Sequence, residues 1–431
     1  MRFFNLAFAA AAIMAGGLVQ SALVQSAWAQ TQPRTAAETA DRIERISRLS
    51  EFREHGARGF HTPRAMDLAT SRRLGAAAER MSFGARDFHV RRQEVLGVGL
   101  NAASIEAAKE LGFEVLRSFR LETLGIRVDV LRVPRGQSVR RALRRLRSAD
   151  PSGAYEANSI FEPSGETGDF AMTAPLAPGA TPDRGSARRL GIIDTGVDLS
   201  LAMFAHVAAT QENFGRGEAV TPRAHGTAIA ALAHYYGAEE LLIADTFSGD
   251  LAFADAESLA RALDWMAAEG IDIINMSLAG PPNALLELAV ERAVARGHVI
   301  VAAVGNEGPD VLPLFPAAYP EVIGVTAVDS ENRIYARANR GEGVDVAALG
   351  VGVSPFGNGE KSLSGTSYAT PLVSAYLARR LPQREAGAIE STMTLLAQAA
   401  TDLGDPGVDP VFGAGLISPD AYWTASGGDA E

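Results

Sequence analysis

The stretch from Leu363 to Pro371, Leu-Ser-Gly-Thr-Ser-Tyr-Ala-Thr-Pro, constrains this chain more than any other. An apolar run with helical spacing follows it, from Leu372 to Ala378. The glycine and the small hydroxyl residues predict a sharp entry into a helix, with Ser367 in its first turn. Unpaired backbone N–H groups and the positive end of the helix dipole favour negative charge there. Ser367 is therefore placed to be a nucleophile, provided that the chain supplies a base and a group that orients the base.

Two upstream motifs supply those groups. Asp194 ends the apolar segment Leu-Gly-Ile-Ile-Asp and is followed by Thr-Gly-Val-Asp, and His225 begins His-Gly-Thr. Histidine, with an ordinary pKa of about 6.5, can take the hydroxyl proton of Ser367 and return it to a leaving amine. Asp194 would accept the other ring N–H. Asn306, in Gly-Asn-Glu-Gly just after a predicted strand, would form an oxyanion hole with the backbone N–H of Ser367.

From Leu190 onward, predicted strands and helices alternate, which indicates a largely parallel sheet with helices on both faces. Chemistry in such sheets collects at the carboxyl ends of strands, where Asp194 lies, while His225 and Ser367 each open a helix. The predicted strands cover 190–193, 241–244, 271–276, 298–304, 322–328 and 344–347. The predicted helices cover 225–235, 256–269, 284–296, 366–379 and 387–398.

A smaller α+β unit is predicted ahead of this sheet. Strand patterns at 94–100, 115–119, 127–133 and 154–161, with helical patterns at 102–111 and 139–146, give the β-α-β-β-α-β order of a ferredoxin-like unit. The second helix carries the arginine-rich run from Arg140 to Arg147, which resembles a nucleic-acid patch. The apolar positions of this helix indicate instead that it is amphipathic, with the arginines on its solvent-exposed face. A net charge of −11 and a pI of about 5.3 also argue against non-specific binding to nucleic acid.

The N-terminus has the three parts of a secretory signal peptide: Arg2, an apolar run from Phe3 to Val19, and Ala-Trp-Ala ending at Ala29. Cleavage is expected before Gln30. An uncleaved anchor is the alternative, disfavoured because two glycines and two glutamines interrupt the apolar run. The protein is thus expected to be exported, to the periplasm or outside the cell, and to meet a membrane only transiently through its signal peptide. The chain has no cysteine, which excludes disulfides and thiolate chemistry.

The motifs around Asp194, His225, Asn306 and Ser367, in this order, resemble those of subtilisin-like serine peptidases, the subtilase family, over residues 189 to about 422. The segments at 316–325 and 414–417 are similar to that family as well. The resemblance implies a peptidase that acts on polypeptide substrates. The ferredoxin-like unit resembles a subtilase propeptide, which implies a partner in cis that helps folding and whose carboxyl end occupies the cleft until it is cut.

The resemblance also indicates the substrate channel. An edge strand would pair with an extended substrate, and a second segment would form the floor of the specificity pocket. Ala279 of that edge strand stands where the family usually has glycine, so large substrate side chains are expected to fit poorly in the specificity pocket. The implied residues are Ser277, Leu278, Ala279, Gly280, Ala303 and Gly305.

No metal ligand or cofactor is identified. Almost nothing separates Tyr236 from Leu241, so the loop that carries calcium in many subtilases is missing. The resemblance therefore predicts no calcium ion at that site and leaves calcium elsewhere open.

The resulting hypothesis is an exported serine endopeptidase made as a self-processing zymogen. The alternative is a catalytically silent binding or scaffold protein with the subtilase fold and a retained prodomain. The predicted organisation is a signal peptide at 1–29, a helical or partly disordered extension at 30–85, a ferredoxin-like propeptide at 86–163, a linker at 164–188, a peptidase domain at 189–424 and a flexible tail at 425–431.

Overall fold

A computed structural model of the chain describes residues 78–83, 86–165, 189–247, 249, 253–355, 362–381 and 388–418. The predicted signal peptide, nearly all of the extension, the linker from residue 166 onward and the tail lie outside these residues. Within the described ranges, no helix combines the length and the apolar character needed to cross a membrane.

The N-terminal unit is an antiparallel sheet with two helices. Its elements are β1 (Ala78–Phe83), β2 (Arg86–Val98), α1 (Ala102–Glu110), β3 (Glu114–Leu121), β4 (Ile126–Arg132), α2 (Val139–Ala149) and β5 (Ala154–Pro163). From β2 onward they follow in β-α-β-β-α-β order, and the strands lie in the order β5-β2-β4-β3. The side chains of Asn101 and Ser138 cap the two helices by accepting a backbone N–H in the first turn, which stabilises a helix start.

The C-terminal domain alternates strands and helices. Its elements are β6 (Arg189–Asp194), β7 (Ala208–Asn213), α3 (Ala224–Tyr235), β8 (Glu240–Asp245), β9 (Ala254–Asp255), α4 (Ala256–Ala268), β10 (Ile273–Met276), β11 (Leu278–Ala279), α5 (Ala284–Val294), β12 (Val299–Ala303), β13 (Val322–Val328), β14 (Val346–Leu349), β15 (Val351–Val353), β16 (Leu363–Ser364), α6 (Thr366–Arg380), α7 (Ala388–Ala399) and β17 (Leu416–Ile417).

Eight of these strands form one parallel sheet in the order β17-β14-β13-β12-β10-β6-β8-β7. The predicted α/β architecture, a parallel sheet with helices on both faces, is confirmed. Helix α6 is buried along its length from Thr366 to Ala378 and packs on one face with α3, while α4 and α5 cover the other face. Strand β7 was not predicted, because its sequence Ala-Ala-Thr-Gln-Glu-Asn at the sheet edge has no apolar pattern.

The N-terminal sheet packs directly on α4 and α5. Leu96 and Val130 of that sheet belong to the same buried apolar cluster as Leu259 of α4 and Leu285 of α5. Strand β5 pairs antiparallel with both β9 and β11 of the C-terminal domain, so the two parts share a sheet. The two units are thus joined by a common core and by backbone hydrogen bonds.

A partly buried ion network lies at the rim of this contact. Asp255, at the start of α4, is 1% exposed and pairs with Arg91 of the N-terminal unit at 2.7 Å and with Arg216 of its own domain at 3.1 Å. Arg216 also reaches Glu94 of the N-terminal unit at 3.0 Å. Burial alone would raise the pKa of Asp255, but the two arginines and the N–H of Ser258 outweigh it and hold the pKa below its ordinary value.

Replacing that carboxylate should weaken the contact in a pH-dependent way. We expect Asp255→Asn, in a chain that also carries Ser367→Ala, to lower the free energy of unfolding by about 3 kcal/mol at pH 7, because Arg91 and Arg216 each lose one charged partner while the helix cap is kept. A carboxylate with a lowered pKa contributes its full stability above its ordinary pKa of about 3.9 and loses it as the pH falls through the folded value. The difference between the two chains should therefore shrink below about pH 4.

Denaturant unfolding at several pH values measures this difference. The matched control is Asp87→Asn, which removes an exposed pair with Arg80 and should cost less than about 1 kcal/mol. Equal losses for the two variants at pH 7 would show that the buried network contributes nothing beyond a surface pair.

Candidate active site

Asp194 and His225 form a buried pair at the carboxyl end of β6. The Oδ1 atom of Asp194 lies 2.8 Å from Nδ1 of His225, and the two side chains are 0% and 2% exposed. The same oxygen accepts the N–H of Thr195 at 2.7 Å, which fixes the carboxylate next to its own strand. Both residues lie where the sequence predicted them, one at a strand end and one in the first turn of α3.

A second aspartate supports this pair and was missed. Asp245 ends β8 and is in register with Asp194 across the sheet. Its carboxylate accepts the N–H groups of Thr221 at 2.7 Å and Phe247 at 3.0 Å, so it holds the loop that leads into α3. Burial raises the pKa of Asp245, although these N–H groups act in the opposite direction. In sequence this aspartate resembles any polar residue at a strand end, so only the fold could identify its role.

Ser367 lies in the first turn of α6 and is fully buried. Its Oγ donates to the backbone oxygen of Ser277 at 3.3 Å rather than to His225. Among the described residues, Nε2 of His225 has no hydrogen-bond partner. The predicted hydrogen bond from the hydroxyl to the imidazole is therefore not formed in this arrangement. Rotation about the Cα–Cβ bond of Ser367 would move the hydroxyl away from Ser277.

The predicted oxyanion donors converge on a backbone oxygen of the chain itself. The carbonyl oxygen of Ser164 accepts the N–H of Ser367 at 3.0 Å and a short hydrogen bond from Nδ2 of Asn306. Thr366 orients the amide, because its N–H and its Oγ1 both lie 3.0 Å from Oδ1 of Asn306. Thr366 was not predicted, since a hydroxyl residue before the nucleophile also suits a helix start.

The segment that ends β5 lies in the cleft as an extended strand. Pro163 is in register with Leu278 and Glu162 with Ala279 in an antiparallel pair. The N–H of Ser164 donates to the backbone oxygen of Ser277 at 3.2 Å. Residues 164 and 165, which the sequence assigned to a linker, are thus held in the site, and the peptide bond between them lies next to Ser367.

The remaining predicted channel residues have different contacts. Gly280 bonds through its backbone to Phe315, and its Cα faces the buried ring of Phe161. Ala303 ends β12 and is fully buried. Gly305 adopts a φ of 107°, and its N–H donates to Oγ1 of Thr366 at 3.3 Å. Ala303 and Gly305 thus build the turn that presents Asn306.

A buried polar chain ties the edge strand to the nucleophile helix. Ser277 donates its Oγ to the backbone oxygen of Ser367 at 3.0 Å and accepts Nδ2 of Asn275 at 2.9 Å. Oδ1 of Asn275 accepts the hydroxyl of Ser374, about two turns after Ser367 along α6, at 3.0 Å. This network fixes the distance between the strand that binds the segment and the helix that carries Ser367.

The site brings together a buried serine, a histidine–aspartate pair and two hydrogen-bond donors that share one carbonyl oxygen. In the described ranges, no group of three or more histidine or acidic side chains is placed to hold a metal ion.

Comparison with known proteins agrees with this geometry. Residues 185–415 match the profile of the subtilase family, Peptidase_S8. Subtilisin Savinase from Lederbergia lenta is 32% identical over 250 residues, which cover 55% of this chain and 91% of that protein. M-protease from Shouchella clausii (strain KSM-K16) is also 32% identical over 250 residues, with 55% of this chain and 64% of that protein covered. The chain therefore belongs to the subtilase family of serine peptidases.

A solved structure supports the fold. Fervidolysin from Fervidobacterium pennivorans, a keratinolytic enzyme related to subtilisin, has a TM-score of 0.60 at 18% identity, over 77% of this chain and 61% of that one. The match thus leaves more than a third of M-protease and of fervidolysin outside the alignment.

The packing of Gly280 against Phe161 generates a structural test. A Cβ atom built on Gly280 would lie 2.4 Å from Cδ1 of Phe161, so Gly280→Ala must displace that ring. In the Ser367→Ala chain we expect the backbone amides of β5 near Ser164 to exchange hydrogen at least about tenfold faster, because an overlap of this kind costs roughly 1–3 kcal/mol.

Combining Gly280→Ala with Phe161→Ala separates this effect from other disturbances. If the ring causes the overlap, Gly280→Ala should add little exchange once the ring is gone. An equal increase in both backgrounds would mean that the contact does not determine how β5 is bound.

Proposed function

We propose that this protein is a serine endopeptidase that cuts its own chain between Ser164 and Gly165 and then hydrolyses other polypeptides. The observation that carries the proposal is the carbonyl oxygen of Ser164, which accepts hydrogen bonds from the N–H of Ser367 and the amide of Asn306. A carbonyl polarised by two donors beside a buried serine and a histidine–aspartate pair is arranged for acyl transfer.

The first half of the reaction follows from these positions. Ser367 turns its hydroxyl from Ser277 to Nε2 of His225, gives up the proton and attacks the carbonyl carbon of Ser164. The negative charge that develops on the carbonyl oxygen is held by the two donors already bound to it. Asp194 stabilises the imidazolium that forms.

Acyl-enzyme formation and hydrolysis complete the cycle. The bond between Ser164 and the nitrogen of Gly165 breaks, its electron pair stays on nitrogen, and the imidazolium of His225 donates the proton that makes an amine. A water molecule then gives a proton to His225 and its hydroxide to the ester carbon. The ester bond breaks, and Ser367 recovers its proton from the imidazolium. Atoms and charges balance without a metal or a cofactor taking part.

We infer that the N-terminal unit, the predicted propeptide, is both the first substrate and the first inhibitor. Its strand β5 binds β9 and β11 through backbone pairing, the mode by which an edge strand takes up an extended peptide. Asn283 adds a further contact to β5, because its Nδ2 donates to the backbone oxygen of Ala157 at 2.9 Å. After cleavage these contacts are unchanged on the acyl side, so the cut unit should remain bound as an inhibitor until it dissociates or is degraded.

Two further parts of the proposal rest on the sequence. Export to the periplasm or the cell exterior is proposed from the signal-peptide pattern at 1–29. Polypeptides are proposed as substrates in trans, because the cleft pairs with backbone groups that every extended peptide carries.

Identical expression of the wild-type precursor and its Ser367→Ala variant tests self-cleavage. We expect only the wild type to separate into two pieces, and the larger piece to start at Gly165 in N-terminal sequencing, because the nucleophile would cut its own chain. Cleavage of both chains at one site would assign the cut to another protease. A wild type that stays whole and does not react with a serine-directed phosphonate would favour the scaffold alternative.

The oxyanion hole gives a graded prediction for the mature enzyme. Asn306→Ala should lower kcat about 10²–10³-fold, because one of two donors to the developing charge is lost. Thr366→Val should lower kcat by about tenfold, because the amide loses one of the groups that orient it, and Thr366→Ser should restore most of the rate. Steady-state kinetics with active-site titration measures these effects. Equal rates for the valine and serine variants would contradict the role given to the hydroxyl.

A further inference from the structure

The residue after the cleaved bond, Gly165, lies in a gap between two aromatic rings. A Cβ atom placed on Gly165 would lie 2.9 Å from Cε2 and 3.1 Å from Cζ of Tyr368, and 3.3 Å from Nε2 of His225. Carbon atoms in folded proteins do not approach a ring carbon within 3.0 Å, so even alanine requires a movement of one of these groups. Glycine is the residue that fits without one.

The ring of Tyr368 is not free to swing aside. Tyr368 belongs to the first turn of α6 and is fully buried in the core cluster beneath the sheet. Its ring centroid lies 5.5 Å from that of His225, with the planes tilted by 48°. A movement of the ring would therefore open a cavity in the core or displace the imidazole that must act as base and acid.

The chain entering the gap is equally constrained. The N–H and the carbonyl oxygen of Ser164 are held by Ser277, Ser367 and Asn306, and the planar peptide bond then fixes the position of Cα in Gly165. On the other side the backbone is close, since a Cβ on Gly365 would lie 2.8 Å from that Cα. A side chain at position 165 cannot avoid Tyr368 by a shift of the backbone while the carbonyl stays in the oxyanion hole.

We propose that Tyr368 makes this peptidase selective for glycine directly after the cleaved bond, so that its substrates are extended segments with glycine at that position. This inference rests on the proposed peptidase function and deepens it. Tyr368 acts as a specificity-determining residue, because the ring closes the space that a side chain of the leaving residue would need. A bulkier residue there pushes the leaving nitrogen away from the imidazole that must protonate it.

Mature wild-type enzyme and two variants at the ring test the proposal. The substrates are the peptide Phe-Glu-Pro-Ser-Gly-Glu, which has the sequence of residues 161–166, and the same peptide with alanine or leucine in place of the glycine. Tyr368→Leu removes Cε2 and Cζ but still fills the core, whereas Tyr368→Phe keeps both atoms and removes only the hydroxyl. The readout is the ratio of kcat/KM between peptides within each enzyme, which cancels any loss of folded or active protein.

We expect the wild type and Tyr368→Phe to prefer the glycine peptide over the leucine peptide by about tenfold or more, and Tyr368→Leu to reduce that ratio to about threefold or less. Equal kcat/KM for the peptides with wild-type enzyme would overturn the inference and leave the peptidase function intact. An unchanged ratio in Tyr368→Leu would overturn the role of the ring. If no peptide is cut by any of the enzymes and Ser367 does not react with a phosphonate, the proposed function fails and the inference fails with it.

A second measurement does not depend on variants of Tyr368. In full-length precursors we expect Gly165→Leu to slow self-cleavage at the 164–165 bond by about tenfold or more, and Gly165→Ala to slow it by a smaller factor. A Gly165→Leu precursor that cleaves at the wild-type rate, with the new N-terminus at residue 165, would also overturn the inference.

Discussion

The arrangement of the whole site depends on the two hydrogen bonds that hold the carbonyl oxygen of Ser164 beside Ser367. Those bonds form only if β5 runs antiparallel between β9 and β11, since this pairing sets the register of Ser164 against Ser277. The register in turn needs the N-terminal sheet to pack on α4 and α5. A long-range core contact and one buried carbonyl are thus parts of a single constraint.

Charge reinforces the same association. Residues 1–164 contain 25 basic and 17 acidic residues, whereas residues 165–431 contain 15 basic and 34 acidic residues. The basic segment before the 164–165 bond and the acidic segment after it therefore attract each other at separations shorter than the Debye length. The ion pairs around Asp255 add short-range attraction between the two units. The proposed cleavage would remove the covalent link but neither of these attractions, so a cut N-terminal unit would be expected to dissociate slowly.

The sequence predicted the parts of the site that carry chemistry more fully than the parts that hold them in place. Asp194, His225 and Ser367 stand at strand and helix ends within motifs whose residue types already imply a nucleophile and a base. Asp245, Thr366 and Asn275 act through hydrogen bonds to residues distant in sequence, and an isolated aspartate, threonine or asparagine carries no local pattern. Strand β7 and the two-residue strand β9 were missed for a related reason, because their partners rather than their own periodicity define them. Strand β11 was expected only through the family resemblance, as the edge strand that includes Leu278 and Ala279.

The turned hydroxyl of Ser367 shows how one set of contacts can serve two states. While Oγ donates to Ser277, the nucleophile is held away from His225, and the bound segment fills the oxyanion hole as an inhibitor would. Under the proposed mechanism, a rotation of the side chain would bring the hydroxyl towards His225, while the carbonyl of Ser164, its two donors and the Asp194–His225 pair keep their positions. In the proposed zymogen, the occupancy of the cleft by β5, rather than the absence of catalytic groups, would therefore separate the precursor from the active enzyme.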